Sequence, residues 1–212
     1  MDSGHEPCCV DSGKLYSFRD PLAKRPLRLE QFGDDRLTFE QVKEFGSGAP
    51  LPQEPIRLRG YMGRQVMDVL WTGSLWFCVS SRVIELLSEH GITGWSTFPV
   101  EVYDHQGEPL PGYHGFAITG PTCRRDKSRS QIVAKPPPVP QGEGFDVYRG
   151  LYFDENQWDG SDFFWVDRSG GRVVTERVYR LFKRNKISNV RFVPLPEVEI
   201  DVLLDRFEKD ED

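Results

Sequence analysis

The sequence contains one segment twice, and this repeat restricts the possible folds more than the composition does. The two copies span residues 71–100 and 158–195. From Val79 and Val174 onward they align without a gap, 95 positions apart, and the only length change is an insertion at 165–172. Self-similarity at a fixed spacing indicates a duplicated structural unit. Both copies open on a Trp-x-Gly-Ser motif, at Trp71 to Ser74 and at Trp158 to Ser161.

Each copy has the pattern of a strand, a helix and a second strand. Short apolar and aromatic runs come first, as in buried strands. Ser80 and Thr175 follow as helix N-caps, whose hydroxyls can accept a hydrogen bond from a free backbone N–H group. Gly94 and Asn189 come after the helices and tolerate the left-handed backbone of a helix exit. One face of each helix is apolar at the spacing i, i+3, i+4, formed by Val83, Leu86 and Leu87 and by Val178, Leu181 and Phe182.

The repeat predicts an α+β protein made of two related strand–helix–strand halves that pack as one compact unit with a mixed sheet. We expect a loose leader at 1–13, a first half at 14–120, a basic and proline-rich connector at 121–144, and a second half at 145–212. The connector is predicted to be an extended, solvated linker, because its prolines favour the polyproline II conformation. A C-terminal amphipathic helix is predicted from the helical spacing of Ile200, Leu203, Leu204 and Phe207.

The net charge of −6 is concentrated at the C-terminal end of the chain. Residues 197–212 contain eight acids and two bases, so this segment carries the whole imbalance. Such an end is commonly solvated, but it can also steer a basic partner, and it disfavours direct binding to nucleic acid. The first candidates for partner binding are therefore acidic, namely Glu197, Glu199, Asp201, Asp205 and Glu208.

A second candidate set surrounds Trp158, just ahead of the strand in the second repeat. An aromatic anchor with acids beside it is typical of the energetic centre of a protein interface. Asp154, Glu155 and Asp159 supply those acids. The match of Trp158 to Trp71 in the repeat favours a core position for this ring, so both interpretations stay open and the acids are the stronger candidates.

The sequence carries no motif of a known catalytic or metal site. Gly-x-Ser-x-Gly, HExxH, a Walker loop and GxGxxG are all absent. The four cysteines form no CxxC pair, and Cys78, inside an apolar run, is expected to be a small buried residue. We expect no cofactor, no metal and no enzymatic activity, although any fold can assemble paired carboxylates for acid–base chemistry. Without an apolar run of bilayer length or a signal sequence, we expect a cytoplasmic location and no membrane contact.

Five segments of the chain, at 36–40, 79–94, 158–164, 174–178 and 194–195, are similar to those of a known family. On these residues the chain resembles the immunity proteins of bacterial polymorphic and contact-dependent toxin systems. It looks closest to the group of double-CXXCG immunity proteins and their relatives of the duplicated strand–helix type, although the CXXCG pairs are absent. The resemblance implies a non-enzymatic antidote that binds a cognate toxin domain in the cytoplasm of the producing cell, and we expect a one-to-one complex.

Two other classes of function remain open from the sequence. One is an enzyme or small-ligand-binding protein with its site between the two halves, and the other is a regulatory or scaffold module. The resemblance implies no binding site at the level of residues, because immunity proteins of one fold meet different toxins. An adjacent upstream gene for a large secreted protein with a variable C-terminal domain would favour the antidote over both alternatives.

Overall fold

A computed structural model describes residues 14–33, 36, 38, 49–73, 76–166 and 171–203. Within these residues the protein is α+β, with fifteen strands and two α-helices. The predicted leader at 1–13 and most of the 36–40 motif lie outside the described residues. The two helices are α1 (Ser81–Glu89) and α2 (Glu176–Arg184).

The fifteen strands are numbered in chain order. They are β1 (Leu15–Arg19), β2 (Arg28–Gln31), β3 (Ile56–Met62), β4 (Val69–Trp71), β5 (Phe77–Ser80), β6 (Trp95–Phe98), β7 (Val100–Tyr103), β8 (Tyr113–Ile118), β9 (Thr122–Cys123), β10 (Gln131–Lys135), β11 (Phe145–Arg149), β12 (Phe163–Val166), β13 (Gly171–Thr175), β14 (Arg191–Pro194) and β15 (Glu199–Asp201).

Two of the sheets have the same strand order. The order β4-β5-β8-β6 in one sheet matches β12-β13-β1-β14 in the other, which β9 extends at one edge. In each sheet a hairpin leads into the helix, and the helix leads into an edge strand. A fourth strand lies between the hairpin and the edge strand and pairs with both. The registers agree as well, since Val79 pairs with His114 and Val174 pairs with Tyr16. We call β4, β5, α1, β6 and β8 the first unit, and β12, β13, α2, β14 and β1 the second unit.

The fourth strand of each unit comes from a different part of the chain. In the first unit it is β8, which follows the edge strand β6, and in the second it is the N-terminal strand β1. Phe116 of β8 pairs with Thr97, and Phe18 of β1 pairs with Phe192 at the corresponding place. The second unit is therefore completed by a strand that precedes the whole first unit in the chain, which the repeat in the sequence does not reveal.

The hairpins correct the predicted alignment of the two repeats. Trp71 ends β4, and the residue at the corresponding place in β12 is Trp165, not Trp158. Residues 165–172, predicted as an insertion, include the end of β12 and the start of β13. The two Trp-x-Gly-Ser motifs both contain a glycine with left-handed backbone, with φ of 72° at Gly73 and 87° at Gly160. They resemble each other because both precede a buried strand, but they precede different strands of the hairpin.

Both predicted helices form at the expected positions. Helices α1 and α2 begin directly after Ser80 and Thr175, which have the extended backbone of N-cap residues. The helix exits use left-handed backbone at Gly94, with φ 81°, and at Asn189, with φ 63°, as predicted. The predicted role of the two hydroxyls is wrong, because neither accepts a hydrogen bond from a helix N–H group. Each instead donates to a carboxylate.

The two units share one hydrophobic core. Leu181 is 2% exposed in this core, whereas Leu86, at the corresponding position of α1, is only partly buried. On the far side of the first unit, sheet β2-β3-β7 covers a second cluster that includes the buried Cys78, as predicted. The shared core contains aromatic rings from both units and the buried faces of both helices, namely Phe18, Phe77, Phe116, Phe163, Val83, Leu87, Val178, Leu181 and Phe182.

The predicted connector and the predicted C-terminal helix both contain strands. Residues 121–144 include β9 and β10, which pair with β12 and β11, so this segment is not only a solvated linker. Strand β15 pairs with the other edge of β11, where Ile200 lies opposite Tyr148. The predicted helix therefore does not include Ile200, because pairing with a distant strand outweighs local helical spacing. The remainder of that prediction, from residue 204 onward, lies outside the described residues.

Candidate partner-binding site

Glu199, one of the predicted partner-binding acids, is held by cations of the protein itself. Its carboxylate accepts hydrogen bonds from Lys135 Nζ at 2.7 Å and from Arg149 Nη2 at 2.9 Å. The bonds from Lys135 and then Arg149 lower the pKa of this carboxyl below its ordinary value. Lys135 belongs to the segment predicted as a basic connector. Glu199 therefore links β15 to the neighbouring strands, and its charge is already compensated within the fold.

The other acids at this end are less constrained. Glu197 is exposed and forms no ion pair with any described residue. Asp201 is half-buried and accepts a hydrogen bond from the Leu203 backbone N–H at 2.8 Å. Asp205 and Glu208 lie outside the described residues. Of the predicted C-terminal acids within the described residues, Glu197 is thus the most available to a partner.

Trp158 packs against the protein rather than standing free as an anchor. Its ring lies 5.2 Å from the ring of Phe164, between centroids, and its Nε1–H donates to the backbone oxygen of Ser161 at 3.0 Å. Trp158 and Ile200, which lies between Glu199 and Asp201 in the sequence, border the same hydrophobic cluster. The half-buried ring favours the core interpretation over the anchor interpretation.

The acids around Trp158 are engaged in local structure. Asp154 accepts from the Asn156 backbone N–H at 3.2 Å and begins the short 3-10 helix Glu155–Gln157. Asp159 accepts from the Ser161 hydroxyl at 2.6 Å, and this bond is the main reason that its pKa is lowered. Glu155 forms an ion pair with Arg129 at 3.3 Å. A cation of the predicted connector thus compensates this second acidic set as well.

A pair of aspartates fixes the two helices at the seam between the units. Asp162 is 2% exposed and accepts hydrogen bonds from the hydroxyl of Thr175 at 2.6 Å and from the backbone N–H of Thr93 at 3.1 Å. Asp68 accepts the corresponding bonds from Ser80 at 3.3 Å and from the backbone N–H of Ser188 at 2.9 Å. Each carboxylate thus binds the N-cap of its own unit and the helix exit of the other.

Two arginines complete this seam and show how the helices lie. Arg177 donates to Asp162 at 2.8 Å and to the backbone oxygen of His90 at 3.0 Å. Arg82 occupies the matching position, where it donates to Asp68 at 3.2 Å and to the backbone oxygen of Asn185. Each arginine near the start of one helix therefore reaches the end of the other, so α1 and α2 lie side by side in opposite directions.

The outer faces of the two helices carry opposite charges. Arg180, Lys183 and Arg184 are exposed on α2. The corresponding positions on α1, 95 residues earlier, are Glu85, Ser88 and Glu89, which are also exposed. Lys183 and Arg184 lie in the last turn of α2, where basic residues stabilise a helix by complementing its dipole. The difference in charge between the two faces becomes apparent only when α1 and α2 are compared position by position as equivalent helices.

A groove of about 570 Å³ runs beside α2. We call it the α2 groove. Ile92 and Leu181 form its apolar part. Its polar part includes His90, whose Nδ1 is 3.0 Å from the backbone oxygen of Leu86, so that Nδ1–H donates and Nε2 is left for other contacts. The residues that line the groove are His90, Ile92, Arg177, Tyr179, Arg180, Leu181, Lys183 and Arg184.

One serine–histidine contact lies at the start of α1. Ser81 Oγ is 2.9 Å from His114 Nε2 and 3.2 Å from the backbone oxygen of Gly112. A nucleophilic serine needs a base within reach and a third group that orients the base. No described residue forms a hydrogen bond with the other ring nitrogen of His114. Among the described residues the contact therefore supplies two parts of a catalytic triad and joins the start of α1 to β8.

The described part of the chain contains no group of three or more His, Cys, Asp or Glu residues that could hold a metal ion. The buried thiols of Cys78 and Cys123 have raised pKa values, chiefly because burial disfavours the thiolate, and the pKa of Cys123 is about 11. Neither helix of this part is long and apolar enough to cross a membrane.

No model of a known protein family matches the chain, and no curated protein matches it.

Proposed function

We propose that the protein is an immunity protein. It binds a cognate toxin domain, one toxin per chain, and neutralises it in the cytoplasm of the cell that makes the toxin. The resemblance of its repeated segments to immunity proteins supports this proposal. We also propose that the two units are copies of one strand–helix–strand motif. Their common strand order and register support the duplication.

The observation that carries the proposal is the opposite charge of two equivalent helix faces. Glu85 and Glu89 stand on α1 where Arg180 and Arg184 stand on α2. Exposed charges contribute little to folding stability, so neither sign is required by the packing of the helices. A common scaffold with divergent charged faces suits a protein whose surface is adapted to one partner. Because the faces differ, a charged partner surface that fits one does not fit the other, which supports one-to-one binding.

The experiment is a titration of toxin activity with the purified protein. The toxin to test is the variable C-terminal domain of the large secreted protein that this proposal expects the adjacent upstream gene to encode. We expect co-expression to restore growth of cells that make this domain, and we expect its activity in vitro to be abolished at an equimolar ratio. Complete inhibition at about a hundredth of that ratio would identify an enzyme that modifies the toxin. Normal toxin activity at a large excess of the protein would contradict the immunity function.

The contact between Ser81 and His114 favours one alternative, a serine hydrolase. A fluorophosphonate probe reacts with serines that a neighbouring base activates. We expect the native protein to show no more labelling than the Ser81→Ala variant, since the orienting group is missing from the described residues. Labelling that maps to Ser81 and disappears in Ser81→Ala would establish the hydrolase instead.

A further inference from the structure

We propose that the α2 groove binds an acidic segment of a protein partner. This assignment rests on the proposed function for the identity of the partner, the toxin domain. The chemistry of the segment follows from the groove itself. Its cations lie along one helix from Arg177 to Arg184, a rise of about 10 Å at 1.5 Å per residue. Because Ile92 and Leu181 form an apolar surface beside these cations, the groove matches a peptide with acidic and apolar side chains better than a small anion.

Two cations of the groove remain available for a ligand. Arg177 is already bonded to Asp162, and Arg180 forms an ion pair with Glu176 at 2.8 Å. Lys183 and Arg184 are exposed and form no ion pair with any described residue. The helix therefore offers two free cations beside two that already bind carboxylates.

The position of the free cations favours carboxylates over phosphate. Protein sites for phosphate commonly use the free backbone N–H groups at a helix N-terminus. Lys183 and Arg184 lie in the last turn of α2, at the opposite end of the helix from its free backbone N–H groups. At this end of the helix their side chains are the donors offered to an anion. An arginine fork binds a carboxylate well without backbone help.

The aromatic ring in the groove is not arranged for nucleic acid. Single-stranded nucleic acid is bound by stacking of bases on free aromatic faces. Tyr179 is stacked on Tyr16, with centroids 4.2 Å apart and planes 11° apart, and Lys183 Nζ lies 5.8 Å from the centre of the same ring. Since Tyr16 occupies one face and Lys183 lies close to the ring, the groove recognises charge rather than bases.

The fold itself does not require these cations. A helix C-terminus is stabilised by basic residues, which would be the ordinary reason for Lys183 and Arg184. However, the same turn of α1 carries Ser88 and Glu89 and packs into the same core. The basic side chains of α2 are therefore available for binding, and the apolar part of the groove offers contact to an apolar side chain between the acids.

The test measures binding of a synthetic poly-L-glutamate peptide by calorimetry at low and moderate salt. Lys183→Glu/Arg184→Glu removes the free cations of the groove. The matched control is Lys24→Glu/Arg25→Glu, which changes the net charge equally at two exposed cations that lie between β1 and β2 and do not line the groove. We expect the groove variant to weaken binding by roughly tenfold or more and the control by less than about twofold. Equal losses in both variants, or no binding by the unmodified protein, would overturn the proposal.

The same variants separate this proposal from the proposed function. If the unmodified protein and the control bind the toxin domain but the groove variant does not, both proposals are supported. If all three bind the toxin equally, the groove is not the toxin-binding surface, although the protein still acts as an antidote. If poly-L-glutamate binding depends on the groove but no toxin is bound, the immunity function fails while the groove keeps its acidic ligand.

Discussion

Asp68 and Asp162 take equivalent places in the two units, and each accepts hydrogen bonds from both units. Asp162 binds the hydroxyl of Thr175 in its own unit and the backbone N–H of Thr93 in the other. Asp68 makes the corresponding pair of contacts. A buried carboxylate that satisfies several donors at once is costly to lose, because its partners are left without acceptors. The seam between the helices therefore depends on two carboxylates.

Replacing Asp162 by alanine should destabilise the protein by about 2–4 kcal/mol, because the N-cap hydroxyl, an N–H group and Arg177 all lose their acceptor. Asp68→Ala should cost less, since Asp68 is more exposed than Asp162 and its contact with Ser80 is longer. Urea denaturation monitored by circular dichroism measures both losses. Two variants as stable as the unmodified protein would show that the seam carries no stability.

Leu181 and Leu86 should differ in their contribution to stability although they occupy equivalent helix positions. Leu181→Ala should cost about 2–5 kcal/mol, the range for a fully buried leucine. Leu86→Ala should cost clearly less, because this side chain is only partly buried. The equal burial of both that the repeat suggests is not found. Chemical denaturation of the two variants in parallel tests the difference, and equal losses would contradict it.

Glu199 should make stability depend on pH. Its pKa is lowered in the folded protein by Lys135 and Arg149, so its contribution is present above the ordinary value of 4.5 and is lost as the pH falls through the folded pKa. Glu199→Gln should therefore lower the melting temperature near pH 7 and have no effect at strongly acidic pH. Glu197→Gln, at an exposed acid, is the control. A difference between Glu199→Gln and the unmodified protein that stays constant with pH would refute this role.

The remaining C-terminal acids should accelerate toxin binding if the toxin surface is basic. Neutralising Glu197, Asp201, Asp205 and Glu208 together should slow association and flatten its dependence on salt while leaving the fold intact. Glu199 is left unchanged, because it forms ion pairs within the fold. Stopped-flow association with the cognate toxin at several salt concentrations measures both effects. An unchanged rate and salt slope would show that these acids only solubilise the chain end.

The local elements were predictable from sequence because their signals lie within about a dozen residues. The N-cap residues and the apolar spacing locate α1 and α2, and Gly94 and Asn189 adopt the left-handed backbone expected after each helix. The mistaken equivalence of Trp71 and Trp158 shows the limit of this reasoning. Similar turns can precede different strands, and only the pairing register distinguishes them.

The candidate site was less predictable, because its properties come from residues far apart in sequence. Glu199 meets cations 64 and 50 positions earlier in the chain, which turn a predicted binding residue into a structural one. Strand β15 forms against β11 despite helical spacing in its own sequence. The cations of α2 are visible in the sequence itself. Their opposite charge to Glu85 and Glu89 is recognised only when the two helices are known to be equivalent.

The pairing of β1 with β13 and β14 has a consequence for synthesis on the ribosome. Strand β1 is synthesised before the whole first unit, and its partners β13 and β14 are synthesised after it. One hydrogen-bonding edge of β1 therefore remains without its native partner until residue 175 has left the exit tunnel and the other until residue 194, and such long-range closure is slow. A prematurely terminated chain that ends before β14 would lack this closure. Only chains translated through β14 would then form a complete second unit.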